Sequence, residues 1–82
     1  MTEVHFYVTR VSERKAVPAL WEVGNNVRKL SHVYGVEVDP SGSVVAVSFE
    51  GGRDEQREIE GAIEKAGYEI SRLSVRSDDF SG

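Results

Sequence analysis

Apolar and polar residues alternate singly along Glu3 to Thr9: Val4, Phe6 and Val8 fall on one face, His5, Tyr7 and Thr9 on the other. That period of two is the mark of a half-buried strand. Residues 10–17 break the pattern and read as a loop. After Pro18, a residue suited to a first helical turn, the period lengthens: Leu20, Val23, Val27 and Leu30 are spaced three, four and three apart. One apolar stripe on a helix over residues 18–32 is expected. Gly24-Asn25-Asn26 lie in its middle, and Gly alone costs about 1 kcal/mol relative to Ala, so this helix depends on packing. Trp21 lies roughly 140° from the stripe's centre, in a row with Asn25, Arg28 and His32 on the outer face. Two β-branched runs follow, Val36 to Val38 and Val44 to Phe49, around Asp39-Pro40-Ser41-Gly42-Ser43. They predict a hairpin with a loop of about five residues. Asp54 is the expected N-cap of a second helix with Glu55 at its positive end. Ile59, Ala62, Ile63 and Ala66 supply its apolar stripe and Gly67 its stop. A last strand over 69–76 puts Leu73 and Val75 on one face, with Ile70 out of step, as at a bulge.

The order strand, helix, strand, strand, helix, strand, with right-handed crossovers, makes an α+β, ferredoxin-like sandwich. It has a four-stranded antiparallel sheet with both helices on one face. Residues 1–76 are expected to form one domain and 77–82 a flexible tail. The uncovered sheet face would be lined by His5, Tyr7, Val44, Ala46, Ser48, Arg72, Ser74 and Arg76.

Within that register, His32-Val33, the Val-rich strands of residues 36–49 and Ala66-Gly67-Tyr68 carry a likeness. From about residue 4 to 75 the chain resembles the heavy-metal-associated domain of copper chaperones, mercury-binding proteins and the N-termini of metal-pumping ATPases. Val23, Val27 and Leu30 fall on that family's helix-one core positions. The resemblance implies a metallochaperone-like fold and a soft-metal loop, Cys-x-x-Cys, at the start of helix one. That register lands on Ala16-Val17-Pro18-Ala19, and the Met that usually precedes the first Cys by two is Arg14. Cu(I), Hg(II) and Cd(II) need thiolate or thioether ligands. The family's metal site is therefore absent at Ala16 and Ala19, and no metal or other cofactor is expected.

Composition narrows the rest. The chain has 82 residues, no cysteine and a formal net charge of −4. Without cysteine there are no thiolate nucleophiles, Fe–S clusters or disulfides. An acidic chain lacks the basic footprint of nucleic-acid binding. Tyr7 invites comparison with the RNA-recognition motif, yet the neighbouring strand offers Val44, Ala46 and Ser48 rather than aromatics. No signal peptide or membrane span is visible, which makes the cytosol the expected location.

His5 and His32 read as two separate surface imidazoles rather than a shared metal site. Trp21, beside Tyr68 where the family's tyrosine borders the metal loop, is a candidate protein-contact rim; His5 and Tyr7 are candidates on the open face. Arg10, Arg14 and Lys15, ahead of a helix N-terminus, are candidate anion ligands. Asp54, Glu55, Glu58, Glu60 and Glu64 read as the solvated side of helix two. No nucleophile, triad or isolated carboxylate pair supports an enzyme. A non-enzymatic interaction or accessory module with an unidentified protein partner is expected. The alternatives are metal handling through other or partner-supplied ligands, and an amino-acid sensor resembling the ACT domain, whose Gly-containing turn after strand one is here the glycine-free VSERKAVP.

Overall fold

The computed structural model describes residues 2–10 and 19–77, with the side chains of 76 and 77 left aside. Its elements run β1 (Thr2–Arg10), α1 (Leu20–Arg28), β2 (Val33–Asp39), β3 (Val44–Phe49), α2 (Arg53–Lys65) and β4 (Tyr68–Ser77). The four strands form one antiparallel sheet in the order β2-β3-β1-β4. This is the ferredoxin-like arrangement that the element order predicts.

The alternation in β1 works as expected. Val4, Phe6 and Val8 are buried, and their β3 neighbours Val45, Val47 and Phe49 join them in one core with Leu20, Val23, Val27, Ile59 and Ile63. Both helices cover this face. Leu73 and Val75 pair with Phe6 and Val4 but lie at the sheet's edge, where they are 38% and 52% exposed. The out-of-step position of Ile70 also has its counterpart. The β1–β4 register shifts between Tyr7 and Val8, leaving Ser71 unpaired, and its hydroxyl donates to the Tyr7 carbonyl at 2.9 Å. A bulged residue loses its ladder bond; here the side chain replaces it.

Several boundaries differ from expectation. Helix α1 spans nine residues, not the fifteen of 18–32. Its last turn tightens, with Lys29 N–H donating to the Asn26 carbonyl and Leu30 N–H to that of Val27. Val33 N–H then bonds the Leu30 carbonyl, turning the chain into β2 three residues earlier than the valine run alone suggests. The early start is accommodated by a second bulge at Tyr34, between the Val33–Phe49 and Gly35–Ser48 pairs. Gly52, not Asp54, is the N-cap of α2. It has no side chain to cap with, so Glu55 at N3 reaches back to accept the Gly52 N–H at 2.6 Å. This is one half of a capping box, and the Gly52 N–H is the main cause that holds the Glu55 carboxyl below its ordinary range. At the other end Gly67 has φ 105, the left-handed conformation in which helices commonly stop.

Gly24, a weak point on propensity, proves to be a packing requirement. A Cβ there would come within 2.6 Å of Val38 Cγ2 and 3.3 Å of Val36 Cγ1. The missing side chain lets α1 lie close against β2. Gly24→Ala should therefore lower stability by about 1–3 kcal/mol through overpacking, although helix propensity alone favours it by about 1 kcal/mol. Urea unfolding checks the sign: a variant more stable than the parent would mean that α1 does not rest on β2 this closely.

Candidate functional site

The candidate residues fall at three places: the mouth of α1, the outer face of α1, and the open sheet face. At the mouth, Ala19 is the N-cap, extended at φ −63 and ψ 154, and its carbonyl accepts the Glu22 and Val23 N–H groups at 3.0 and 3.4 Å. The Ala19 side chain itself makes no capping hydrogen bond. An exposed methyl group stands where the family resemblance places its second thiolate. Ala16, Arg14 and Lys15 lie outside the described residues, so the anion candidates are represented by Arg10 alone, exposed at the end of β1 and paired with Tyr68. Among the described residues no group of three His, Asp or Glu side chains is placed to hold a metal ion.

On the outer face, Trp21 is 59% exposed, in line with its angular position. It borders a shallow depression of about 380 Å³ with Glu22, Asn25, Asn26 and Lys29. Tyr68, expected as an exposed companion, is only 7% exposed and belongs to the core. The reason is register: β4 starts at Tyr68, directly after the Gly67 turn, so the ring points to the helix side of the sheet. His32 is corrected in the same way. It lies beyond the end of α1, and its ring is turned inward, edge-on to Phe49 at 6.3 Å. Nε2 lies 3.2 Å from the Glu55 carbonyl and Nδ1 3.5 Å from a Glu58 carboxylate oxygen. It ties the chain between α1 and β2 to the first turns of α2.

The open face is the most developed of the three. His5, Tyr7, Val44, Ala46 and Ser48 all reach it and shield one another to about half-burial. The Arg72 guanidinium lies over the Tyr7 ring at 4.4 Å, a cation–π contact that fixes a long side chain flat against the sheet. His5 Nε2 lies 3.1 Å from a Glu3 carboxylate oxygen. Two shallow grooves of about 320 and 370 Å³ run along this face and share Glu37 and Ala46. Tyr34 and Arg28 border the first, and Tyr7 and Asp39 the second. Arg28 also donates to the outward carbonyl of Val36 at 3.2 Å, covering part of the β2 edge. Asp39 is held by the Ser41 hydroxyl at 2.7 Å and the Gly42 N–H at 3.3 Å. These donors, the hydroxyl foremost, keep its carboxyl below the ordinary range, so it is a fixed anion at neutral pH.

Sequence reasoning missed four participants: Glu3, Tyr34, Glu37 and Asp39. Glu3 and Glu37 were within reach, since each continues the alternation of its strand onto the open face. Tyr34 carried a fainter signal, the Gly35 beside it, because a glycine within a β-branched run often marks a bulge.

The fold is that of a small ferredoxin-like domain, and solved metallochaperone and metal-ATPase domains share it. The metallochaperone CsoZ superposes with a TM-score of 0.67 at 20% identity, covering 88% of this chain and 100% of that one. A copper-binding domain from the P-type ATPase HMA7 gives 0.66 at 17% identity over 98% of this chain and 100% of the other. The N-terminal domain of ZntA, in its Zn(II) form, gives 0.62 at 24% identity over 99% and 97%. At such identities the likeness is one of fold. No family model and no curated protein matches the chain. No helix among the described residues is long and apolar enough to cross a membrane.

Proposed function

We propose that this chain is a non-enzymatic interaction module of the cytosol: a metallochaperone-type scaffold, without that family's soft-metal site, that contacts a protein partner through its open sheet face. The observation that carries this reading is the conjunction at α1. The scaffold is complete, and its N-cap position holds Ala19 in a chain with no cysteine at all. Fold does not bring chemistry with it; soft metals are gripped by sulfur, and a methyl group offers no lone pair. The open face offers what a contact surface needs instead, half-buried aromatic and aliphatic side chains rimmed by fixed charges. Trp21 supplies a second exposed anchor of the type interfaces favour.

Amide chemical shifts of labelled protein, followed against Cu(I), Zn(II), phosphate and amino acids in turn, test the reading. No saturable shift is expected at Thr9, Arg10 or Ala19 to Trp21 with either metal. Tight, localised shifts there would establish metal handling through ligands other than cysteine and overturn the proposal. A response to phosphate would assign an anion site to the Arg10 end, and one to amino acids would favour the sensor class.

A further inference from the structure

The open face is banded across its strands in size as well as charge. Residues pair in rows: Asp39, Val44, Tyr7 and Arg72 lie side by side, then Glu37, Ala46, His5 and Ser74, then Gly35, Ser48 and Glu3. Down the columns, β2 carries the carboxylates Glu37 and Asp39, and β3 the short side chains Val44, Ala46 and Ser48. Strand β1 carries the long ones, Tyr7, His5 and Glu3, and β4 brings the Arg72 guanidinium. The short β3 column leaves the grooves whose lining includes Val44, Ala46 and Ser48.

We propose that the occupant of this face is a second copy of the same chain, the two sheets packed face to face about a two-fold axis parallel to the strands. This rests on the open face being the contact surface and goes on to name its partner. Such an axis lays β1 of each copy over β3 of the other, and β4 over β2, and it keeps each row opposite itself. Tyr7 then meets the partner's Val44, His5 the partner's Ala46 and Glu3 the partner's Ser48, so each long side chain enters the groove over a short one. Arg72 meets the partner's Asp39, and because the interface is isologous each such contact occurs twice. The other in-plane axis, perpendicular to the strands, would stack β2 on β2 and set Glu37 against its own copy; charge rejects it. Packed sheets lie about 10 Å apart and rotate by about 30°, a displacement at the edges that the Arg72 side chain can span.

The face is large enough for a modest association. Four strands about 4.8 Å apart and some seven residues long present roughly 450 Å² in projection. Two copies together bury about 900 Å² before side-chain relief is counted, close to the ~1,000 Å² expected of a specific interface.

Sedimentation velocity over about 10 μM to about 1 mM tests this, a range suited to modest affinity. The full chain should shift reversibly from monomer to dimer. Arg72→Glu and Asp39→Arg should each weaken the dimer about tenfold or more, by placing like charges opposite one another. A one-to-one mixture of the two should recover it, because both pairs are again complementary in the heterodimer. Asp39 also holds the turn through Ser41 and Gly42, so Ala46→Glu, on the groove floor, serves as a variant free of that role, with circular dichroism confirming that each variant is folded. A chain that stays monomeric throughout, a dimer indifferent to Ala46→Glu and Arg72→Glu, or folded variants whose mixture recovers nothing would each overturn the proposal. The outcomes separate from those of the metal titration: a monomer with no metal response removes the second copy alone, and tight copper binding removes only the interaction-module reading.

Discussion

Truncating Phe6 to alanine is expected to destabilise the domain by about 3–5 kcal/mol, the range for deleting a fully buried aromatic ring. Phe6 is wholly inaccessible, sits on β1 between β3 and β4, and pairs with Val45 on one side and Leu73 on the other. The loss is severe because the reserve is small. At about 0.05–0.15 kcal/mol per residue, a chain of this length holds roughly 4–12 kcal/mol in total. The cavity cannot close easily, since the surrounding residues belong to both helices and to both flanking strands. Urea unfolding followed by far-ultraviolet circular dichroism is the suitable measurement. Fluorescence is a poorer choice, because Trp21 is mostly exposed in the folded state already. A loss below about 1 kcal/mol would mean that the ring is not at the centre of the core. Leu73→Ala, on the same face but open at the sheet edge, should cost far less and serves as the internal contrast.

Strand β1, helix α2 and the hairpin were legible because each is specified by its own residues: an uninterrupted alternation, an i, i+3, i+4 stripe ended by Gly67, and an Asp-Pro-Ser-Gly turn. Even the bulge opposite Tyr7 announced itself, since Ile70 could not share a face with Leu73 and Val75 in an unbroken strand. The illegible features are set by distant partners. Gly24 looks like a flaw within α1 and acquires its purpose only when Val36 and Val38 lie against it. His32 has the helical spacing of an outer-face residue, yet the chain leaves the helix before reaching it and Phe49 receives its ring. Tyr68 looked like an anchor beside Trp21 because the family likeness places a tyrosine near the metal loop; its burial follows from where β4 begins. The candidate site was half legible for the same reason. Which residues alternate onto the open face can be read along a strand, whereas the matching of β2 carboxylates to the β4 guanidinium across a row requires the sheet order.

Introducing a pair of sulfurs ahead of α1 should have the largest effect of any substitution. Ala16→Cys with Ala19→Cys is expected to convert a chain with no soft-metal ligand into one that takes up a single Cu(I) ion, detectable by competition with a coloured Cu(I) chelator. Three physical conditions favour it. Ala19 is the N-cap of α1, and its side chain is exposed, so a thiol there needs no rearrangement of the core. The helix N-terminus leaves backbone N–H groups unsatisfied, and cysteines at such positions have lowered pKa values and ionise more readily at neutral pH. Arg14 and Lys15 neighbour Ala16 in the sequence, and cations close to a cysteine favour its thiolate. The single variants are the control, since one sulfur supplies half of the two-coordinate set and should bind far more weakly. Equal affinity in the single and double variants would mean that the two positions do not converge at the mouth of α1. A double variant that is folded yet takes up no copper would mean that the missing sulfur is not what separates this chain from the metallochaperones whose fold it shares.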